Sequence, residues 1–313
     1  MNPAVPAPPR TWTTRDLLAW MGSAFEEKDL DSPRRLAEEL LAHVIGCERL
    51  RLYMDADRPA SEIERAQLRD LVKRALAHEP VQYLVGHESF YGLKFQVDPR
   101  VLIPRPSTQT IIDAALAHFK ADPRVSSVRE SDAGDGALIA DVCTGSGCVA
   151  VALAARLPGA RFLASDVSAD ALDVARTNAE ANGVVDRVEF LEGDLLGALD
   201  AHPVARNAGS LAALVSNPPY IPDDEWADVE PNVKDHEPTL ALRGGADGMD
   251  LARPLIEHAP DRLSPGGLLA VEIAAVRAPE ALDLARKHAL LEGAKVLKDS
   301  DGLDRVLVAT RTR

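Results

Sequence analysis

Residues 137–147 read Ala-Leu-Ile-Ala-Asp-Val-Cys-Thr-Gly-Ser-Gly, and this stretch decides the fold. An apolar run of strand length leads into a turn with two glycines, and residues 149–157 predict an apolar helix after it. Glycines allow the backbone to approach a ligand closely, and the N-terminus of the following helix favours a carboxylate or a phosphate. The stretch therefore predicts the first strand, turn and helix of an α/β unit that binds a nucleotide-type ligand.

Acidic residues follow the next two predicted strands. The second strand ends in Asp166, about twenty residues past the glycines, where a carboxylate can bind ribose hydroxyls. The third leads to Asp194 and Leu195, of which the first can accept from the amine of an adenine and the second can pack on its ring. Asp141 stands at the corresponding place at the end of the first strand, and together these residues predict an adenosine-containing cofactor. A dinucleotide is the alternative, although its usual glycine spacing is absent.

A fourth apolar run, 211–215, ends in Ser-Asn-Pro-Pro-Tyr. The two prolines make a stiff turn, which can hold the Asn217 amide and the Pro218 carbonyl as two acceptors for a planar –NH2 group. Tyr220 can pack on the flat face of that group. The turn is similar to the Asn-Pro-Pro-Tyr motif of methyltransferases that act on a nitrogen conjugated to a carbonyl or a ring. We predict that the chemistry is carried by four catalytic residues: Asn217, Pro218, Pro219 and Tyr220.

The remaining apolar runs complete a sheet. They predict helices over 251–263 and 279–288 and strands over 268–273, 295–298 and 304–310. The last two strands are separated only by a short turn and should be antiparallel neighbours. The predicted fold class is α/β, with the Rossmann-like sheet of class I S-adenosylmethionine-dependent methyltransferases, mostly parallel with an antiparallel edge strand.

Upstream of this sheet, the chain predicts a small all-α domain and a linker. Residues 1–10 are rich in Pro and Ala and predict a disordered start. Residues 11–80 predict a helical domain without any motif that carries chemistry, which we assign to substrate recognition. Alternating apolar residues from Val81 predict a β-hairpin linker over 81–106, so the methyltransferase domain is predicted over 107–313. Within it, the charged segment 121–136 predicts a loop.

Helix starts in the first domain are predicted from capping residues. Thr14 and Ser32 precede runs of apolar residues at helical spacing. Ser61 and Glu64 have the spacing of a capping box.

Composition limits the partners. The protein has 313 residues and a formal net charge of −14, with most of the excess acid after residue 85. An acidic catalytic half argues against a dedicated DNA-binding enzyme, because duplex affinity comes largely from neutralising phosphates. The three cysteines fit a reducing compartment, and no apolar run is long enough to span a bilayer. We expect a cytoplasmic protein with no metal, no membrane partner and no direct nucleic-acid partner.

The chain resembles the HemK-type (PrmC) protein-glutamine N5-methyltransferases, which modify peptide-chain release factors. The resemblance covers almost the whole chain and rests on six motifs: Glu79–Gly86, Phe90–Phe95, Val101–Pro106, Thr144–Gly147, Asn217–Ile221 and Glu237–Gly248. It implies S-adenosylmethionine as methyl donor, with S-adenosylhomocysteine as product. It implies the Gln of the Gly-Gly-Gln loop of class I release factors as acceptor, and we expect a monomer.

The resemblance also implies roles for individual residues. The cofactor-binding residues carried over by position are Asp141, Cys143, Thr144, Gly145, Gly147, Asp166, Asp194, Leu195 and Asn217. The substrate-binding residues are Asn217, Pro218, Tyr220, Arg105 and Pro106.

The sequence departs from the family pattern at several positions. Cys143 replaces the first glycine of the cofactor turn, which narrows the space beside the methionine part of the cofactor. Ser107 and Gln109 replace two acids, and Ala274 replaces a glycine after the fifth strand. Three alternatives stay open: methylation of a Gln in a large-subunit ribosomal protein, N-methylation of adenine or guanine in a nucleic acid, and a domain that binds without turnover.

Overall fold

The computed structural model describes residues 11–120 and 136–313. These residues form two compact units, one ending at Gly86 and one beginning at His87. The disordered start predicted over 1–10 lies outside the described residues, and so does the loop predicted over 121–136, except for Gly136.

The first unit is helical. Thr13, not Thr14, caps its first helix: the Thr13 hydroxyl accepts from the Asp16 N–H at 3.2 Å, and the Asp16 side chain accepts from the Thr13 N–H in return. The capping box predicted at Ser61 and Glu64 is confirmed. The helices of this unit are α1 (Thr14–Glu26), α2 (Pro33–Ile45), α3 (Arg49–Met54), α4 (Glu62–Ala75) and α5 (Val81–Val85).

The hairpin is shorter than the sequence predicts. The strand prediction for Val81–Val85 is wrong, because these residues form α5, which buries the adjacent Tyr83 and Leu84 and contacts α2 and α4. The antiparallel hairpin consists of β1 (His87–Phe90) and β2 (Leu93–Gln96). It therefore belongs to the second unit, whereas α5 belongs to the first.

Within the described residues, the second unit is built on a seven-stranded sheet with the order β5-β4-β3-β6-β7-β9-β8. The neighbours from β5 to β7 pair in parallel, and β9 pairs antiparallel with both β7 and β8. The predicted fold class, a mostly parallel sheet with an antiparallel edge, is confirmed. Its strands are β3 (Leu138–Val142), β4 (Arg161–Asp166), β5 (Val188–Glu192), β6 (Leu211–Ser216), β7 (Leu263–Glu272), β8 (Leu291–Lys298) and β9 (Asp304–Arg311).

Helices cover both faces of this sheet. Neighbouring residues of a strand point to opposite faces, so each face packs its own set of side chains against helices. Ile139 of β3 belongs to one buried cluster and Ala140 to another. The first cluster includes residues of α6 (Gln109–Phe119), α7 (Cys148–Ala154) and α8 (Ala169–Ala181). The second includes residues of α9 (Gly197–Asp200), α11 (Ala252–His258) and α12 (Ala278–Lys287). The short helix α10 (Pro231–Lys234) lies in the segment after β6.

The strand order places a crevice beside β3 and β6. The chain leaves β3 toward β4 and β5, and it leaves β6 toward β7, so the order changes direction between these two neighbours. In open α/β sheets ligands bind at such a point, outside the carboxyl ends of the strands. None of the helices that the structure describes is long and apolar enough to cross a membrane.

Candidate active site

A cavity of about 310 Å³ lies at the carboxyl ends of the central strands. It brings together most of the predicted site residues from separate turns. Those that line it are Arg105, Asp141, Cys143, Thr144, Gly145, Asp166, Asp194, Leu195, Asn217 and Pro219. Four others lie outside its lining: Pro106, Gly147, Pro218 and Tyr220.

The turn after β3 has left-handed backbone at three positions, Cys143 (φ +60°), Gly145 (φ +54°) and Gly147 (φ +78°). Gly147 allows α7 and α8 to approach closely, because a Cβ there would lie 3.1 Å from the Ala175 Cα. Cys143 adopts the same left-handed region with a side chain, which costs conformational energy that glycine avoids. Position 143, where the family pattern has glycine, therefore has a left-handed backbone that favours glycine.

The Asp141 carboxyl holds this turn against α7. It is 1% exposed, and its Oδ2 accepts from the Thr144 hydroxyl at 2.7 Å and from the Ala150 N–H at 3.0 Å. Burial raises the pKa of Asp141 to about 7, against these two hydrogen bonds. The Thr144 N–H donates to the Ser165 carbonyl at 2.9 Å, which ties the turn to β4. Both side chains thus shape the turn, and their direct contact with a cofactor stays a prediction.

Two carboxylates line the neighbouring part of the cavity. Asp166 accepts from the Gly145 N–H at 2.9 Å and from the Ser168 N–H at 3.0 Å. Burial raises its pKa, and the backbone donors oppose that shift. The Gly193 N–H donates to the Asp166 carbonyl at 3.0 Å, which brings Asp194 to the same wall. Because an ionised carboxylate has about four acceptor sites, Asp166 retains capacity for a ligand beyond these two bonds.

The Asn-Pro-Pro-Tyr turn is fixed at both ends. The Ser216 hydroxyl donates to the Val142 carbonyl at 2.6 Å, and the Asn217 Nδ2 donates to the Thr108 Oγ1 at 3.0 Å. Beyond the turn, the Ile221 N–H donates to the Leu242 carbonyl at 2.9 Å. A Cβ at Gly244 would lie 2.7 Å from the Tyr220 Cα, so only glycine allows this approach. The turn is therefore a rigid part of the cavity edge.

Tyr220 lies between the carboxyl of Glu272 and the guanidinium of Arg305. Its hydroxyl is 3.5 Å from the Glu272 Oε1, longer than a normal O–H···O hydrogen bond, and the Arg305 guanidinium carbon is 5.9 Å from its ring centroid. Burial raises the pKa of Tyr220 to about 12, so the phenol keeps its proton at physiological pH.

Glu272 and Thr108 were not predicted as site residues. Glu272 is fully buried, its Oε1 accepts from the Ser107 hydroxyl at 3.1 Å, and its Oε2 has no partner among the described residues. Burial raises its pKa, and hydrogen bonds from Thr108 and Ser107 oppose the shift. The available signals were an acid at the end of an apolar strand and a threonine just after Arg105-Pro106.

Arg105 is engaged by a buried acid. Its guanidinium pairs with Glu237, whose side chain is 1% exposed, and the other Glu237 oxygen accepts from the Ile103 N–H at 3.0 Å. This pair joins the Val101–Pro106 motif to the segment after β6, from which Pro238, Leu240 and Ala241 line the cavity. The substrate-binding role of Arg105 stays a prediction.

Comparisons with known proteins agree over most of the chain. The family model of the PrmC N-terminal domain matches residues 16–86, and a methyltransferase-domain model matches residues 139–235. The release factor glutamine methyltransferase of Chlorobaculum tepidum is 43% identical over 298 residues, covering 95% of this chain and 97% of its own. That of Geobacter sulfurreducens is 36% identical over 299 residues, covering 96% and 97%.

Among solved structures, the hMettl16 catalytic domain in complex with a 3'UTR hairpin superposes with a TM-score of 0.51 at 14% identity. The match covers 82% of this chain and 84% of that one. At this identity the likeness shows a shared fold alone.

Proposed function

The chain belongs to the family of release factor glutamine methyltransferases, and from this premise we propose that it methylates N5 of the Gln in the Gly-Gly-Gln loop of class I peptide-chain release factors. The methyl donor is S-adenosylmethionine. The observation that carries the proposal is the position of the Asn217 turn on the same cavity as Asp166 and Asp194. Asn217, the proposed acceptor-binding residue, thus lines the same cavity as the two acids proposed to bind the donor, whereas Pro218 and Tyr220 lie outside its lining.

The residues of the cavity fit the donor. Its volume of about 310 Å³ is at the lower end of small-ligand sites, which run from about 300 to 1,000 Å³. Asp166 suits the ribose hydroxyls, Asp194 suits the adenine amine, and Leu195 adds an apolar wall. When bound, S-adenosylmethionine supplies a methyl group activated by a sulfonium.

The turn supplies position and acceptors. A side-chain amide nitrogen is a poor nucleophile, because its lone pair is delocalised into the carbonyl. The Asn217 Oδ1 and the Pro218 carbonyl accept the two amide hydrogens, which directs the lone pair toward the methyl group and stabilises the charge that develops on the nitrogen. Tyr220 packs beside the amide plane. The nitrogen then loses one proton to solvent, so no strong base is required.

The proposal also covers the partners and the compartment. We propose that the protein acts as a monomer in the cytoplasm, with a release factor as its macromolecular partner and no nucleic acid or metal in the reaction. Its net charge of −14 supports the absence of a nucleic-acid partner, because contact with phosphates calls for a basic face.

The test is methyl transfer from labelled S-adenosylmethionine to the release factors of the same organism. Wild-type protein is expected to label the Gln of the Gly-Gly-Gln loop, and a release factor with that Gln replaced should take no label. Asn217→Ala should lower kcat by about 10²–10³-fold, the usual effect of removing one group that stabilises developing charge. Label on a ribosomal protein or a nucleic acid, with none on release factors, would overturn the proposal.

A further inference from the structure

The Asn217 side chain can adopt two orientations that differ by exchange of its oxygen and nitrogen. Only one orientation serves the proposed function, because the acceptor amide offers two N–H donors and needs the Asn217 Oδ1. In the structure the Nδ2 donates to the Thr108 Oγ1 at 3.0 Å, which leaves the Oδ1 for another partner. The question is what selects this orientation.

Thr108 alone cannot select it. A hydroxyl has one proton and two lone pairs, so it can accept from the Asn217 Nδ2 or donate to the Asn217 Oδ1. The direction depends on where the Thr108 proton goes. Thr108 is 1% exposed, so bulk water does not compete for that proton.

Glu272 removes the ambiguity. Its Oε1 accepts from the Ser107 hydroxyl at 3.1 Å, and the hydroxyl of Thr108, the next residue along the chain, interacts with the same carboxyl and lowers its pKa. An ionised carboxylate accepts and never donates, so while Glu272 is ionised the Thr108 proton is directed to Glu272 and a Thr108 lone pair to Asn217. Both Glu272 and Thr108 are buried, which strengthens the interaction between their polar groups relative to one in water.

We propose that Glu272 and Thr108 are positioning residues that fix the Asn217 amide with its oxygen toward the acceptor nitrogen. The hydrogen-bond relay, defined as Glu272, Thr108 and Asn217 in that order, runs in one direction while Glu272 is ionised. This inference rests on the proposed function, and it adds two residues outside the predicted site: Thr108, which lines the cavity together with Asn217, and Glu272, which does not line it.

Protonation of Glu272 would release the relay. A neutral carboxyl can donate to Thr108, which can then donate to the Asn217 Oδ1, so the Asn217 –NH2 would face the –NH2 of the acceptor. The other ionisable groups that face Glu272 are Arg305 from β9, Tyr220 from the turn and Cys148 from α7. Burial raises the pKa of both Tyr220 and Cys148 to about 12, and the pKa of Arg305 is raised as well, so these three keep their charge states at physiological pH.

The first test compares Thr108→Val with Thr108→Ser. Valine removes the hydroxyl at similar volume, and we expect kcat toward the release factor to fall by about 10- to 100-fold, because the reacting amide is misplaced. Serine keeps the hydroxyl and should stay within about 3-fold of wild type. The KM for S-adenosylmethionine should be unchanged in both. Thr177→Val makes the same substitution at an exposed position of α8 and serves as matched control.

Two readouts separate this inference from the proposed function. Hydrogen exchange of the Asn217 side-chain amide, assigned by its loss in Asn217→Ala, needs no substrate and should be slow in wild type and Thr108→Ser but fast in Thr108→Val. Equal exchange and equal kcat in all three would overturn the relay, as would a Thr108→Ser variant as impaired as Thr108→Val. Absence of any wild-type methylation would instead count against the proposed function.

Glu272→Gln provides a second variant if Thr108→Val folds poorly. The wild-type kcat should fall as pH decreases through the raised pKa of Glu272, and the variant should lack that part of the profile. Asp141 titrates in both proteins, so the difference between the two profiles belongs to Glu272. Identical profiles would contradict the relay.

Discussion

The carboxyl of Asp141 is 1% exposed and has a pKa of about 7 in the folded protein, against 3.8 for an ordinary aspartate. The folded state therefore binds this proton more tightly than the unfolded chain, and the free energy of unfolding falls as pH rises between these two values. Asp141→Asn has no proton to lose, while its amide oxygen can still accept from Thr144 and Ala150.

Asp141→Asn should therefore have the stability of wild type below about pH 4 and exceed it above about pH 7. The gain in the free energy of unfolding is up to about 4 kcal/mol, at about 1.36 kcal/mol per pKa unit. Urea unfolding of cofactor-free protein across this pH range measures it. Asp224→Asn, at an exposed position, is the matched control, and a gain that does not depend on pH would show that the carboxyl charge is not responsible.

Cys143 has the left-handed φ of +60° in a turn where its relatives are expected to carry glycine. Cys143→Gly removes a strain of roughly 1–2 kcal/mol but increases the freedom of the unfolded chain by about 0.5–1 kcal/mol, so the free energy of unfolding should stay within about 1 kcal/mol of wild type. Cys143→Val places a β-branched side chain at the same φ and should cost about 1–3 kcal/mol. Thermal unfolding distinguishes them. Cys47→Val is the control at a position without positive φ, and equal losses at both sites would refute the strain.

The limits of sequence-based prediction are clear at the residue scale. Asn217 and Asp166 could be found because each stands at the end of an apolar run. Thr108 and Glu272 could not, because the role we propose for them depends on an interaction between positions 164 residues apart, and neither residue type is distinctive alone. Arg105 was predicted to bind substrate, whereas its bond to Glu237 is a tertiary contact that no local pattern encodes.

The segment between β6 and α11 depends on the Glu237 carboxylate. Glu237 pairs with Arg105 and accepts from the Ile103 N–H, all within the second unit. Loss of its charge leaves the partly buried Arg105 guanidinium unpaired, and breaking a buried pair in this way is strongly destabilising. The same segment lines the cavity through Pro238, Leu240 and Ala241.

Glu237→Gln should thus loosen this segment, which speeds its amide exchange. It should also weaken S-adenosylmethionine binding by about 10-fold, which corresponds to a loss of about 1.4 kcal/mol of binding free energy. Calorimetry and hydrogen-exchange mass spectrometry measure the two effects. Glu225→Gln, in the same segment but exposed, should change neither. Unchanged exchange in Glu237→Gln would mean that the ion pair does not hold the segment.

Among the elements, short ones were the least predictable. α4 was predictable, because its capping box and its buried positions repeat at helical spacing over 14 residues. α5 was predicted as a strand, because Val81, Tyr83 and Val85 alternate over five residues. Five residues fit either period, and the helix is decided by burial of Tyr83 and Leu84 beside α2 and α4.

At the scale of the whole molecule, each unit buries a core of its own. One cluster contains only residues up to Val85, and the two clusters around the sheet contain only residues from Phe90 onward. Every residue that lines the cavity lies between Arg100 and Leu251. The sheet architecture could be predicted because the order of apolar runs, glycine turns and helices constrains the connections of an α/β unit.

A chain that begins at His87 should therefore bind S-adenosylmethionine with wild-type affinity. If the helical unit recognises substrate, as its lack of chemical motifs predicts, the KM for the release factor should rise by about 10-fold or more, which is about 1.4 kcal/mol of lost binding. Calorimetry with the cofactor and steady-state kinetics with the release factor test the two parts. Loss of cofactor binding would contradict the first, and an unchanged KM would contradict the second.

The pairing of β3 with β6 has a consequence for how such a protein can diverge. In the proposed function, β3 ends in the turn that binds the donor and β6 in the turn that binds the acceptor, and their register aligns Asp141 with Val215 and Val142 with Ser216. On that proposal, one pair of hydrogen-bonded strands sets the distance between the two reactants, and the segment after β6 adds Pro238, Leu240 and Ala241 to the wall of the cavity. A lineage can exchange its acceptor by altering residues 221–248 and inherit the donor turn unchanged, so mutations that alter specificity should accumulate in that segment before they reach residues 138–147.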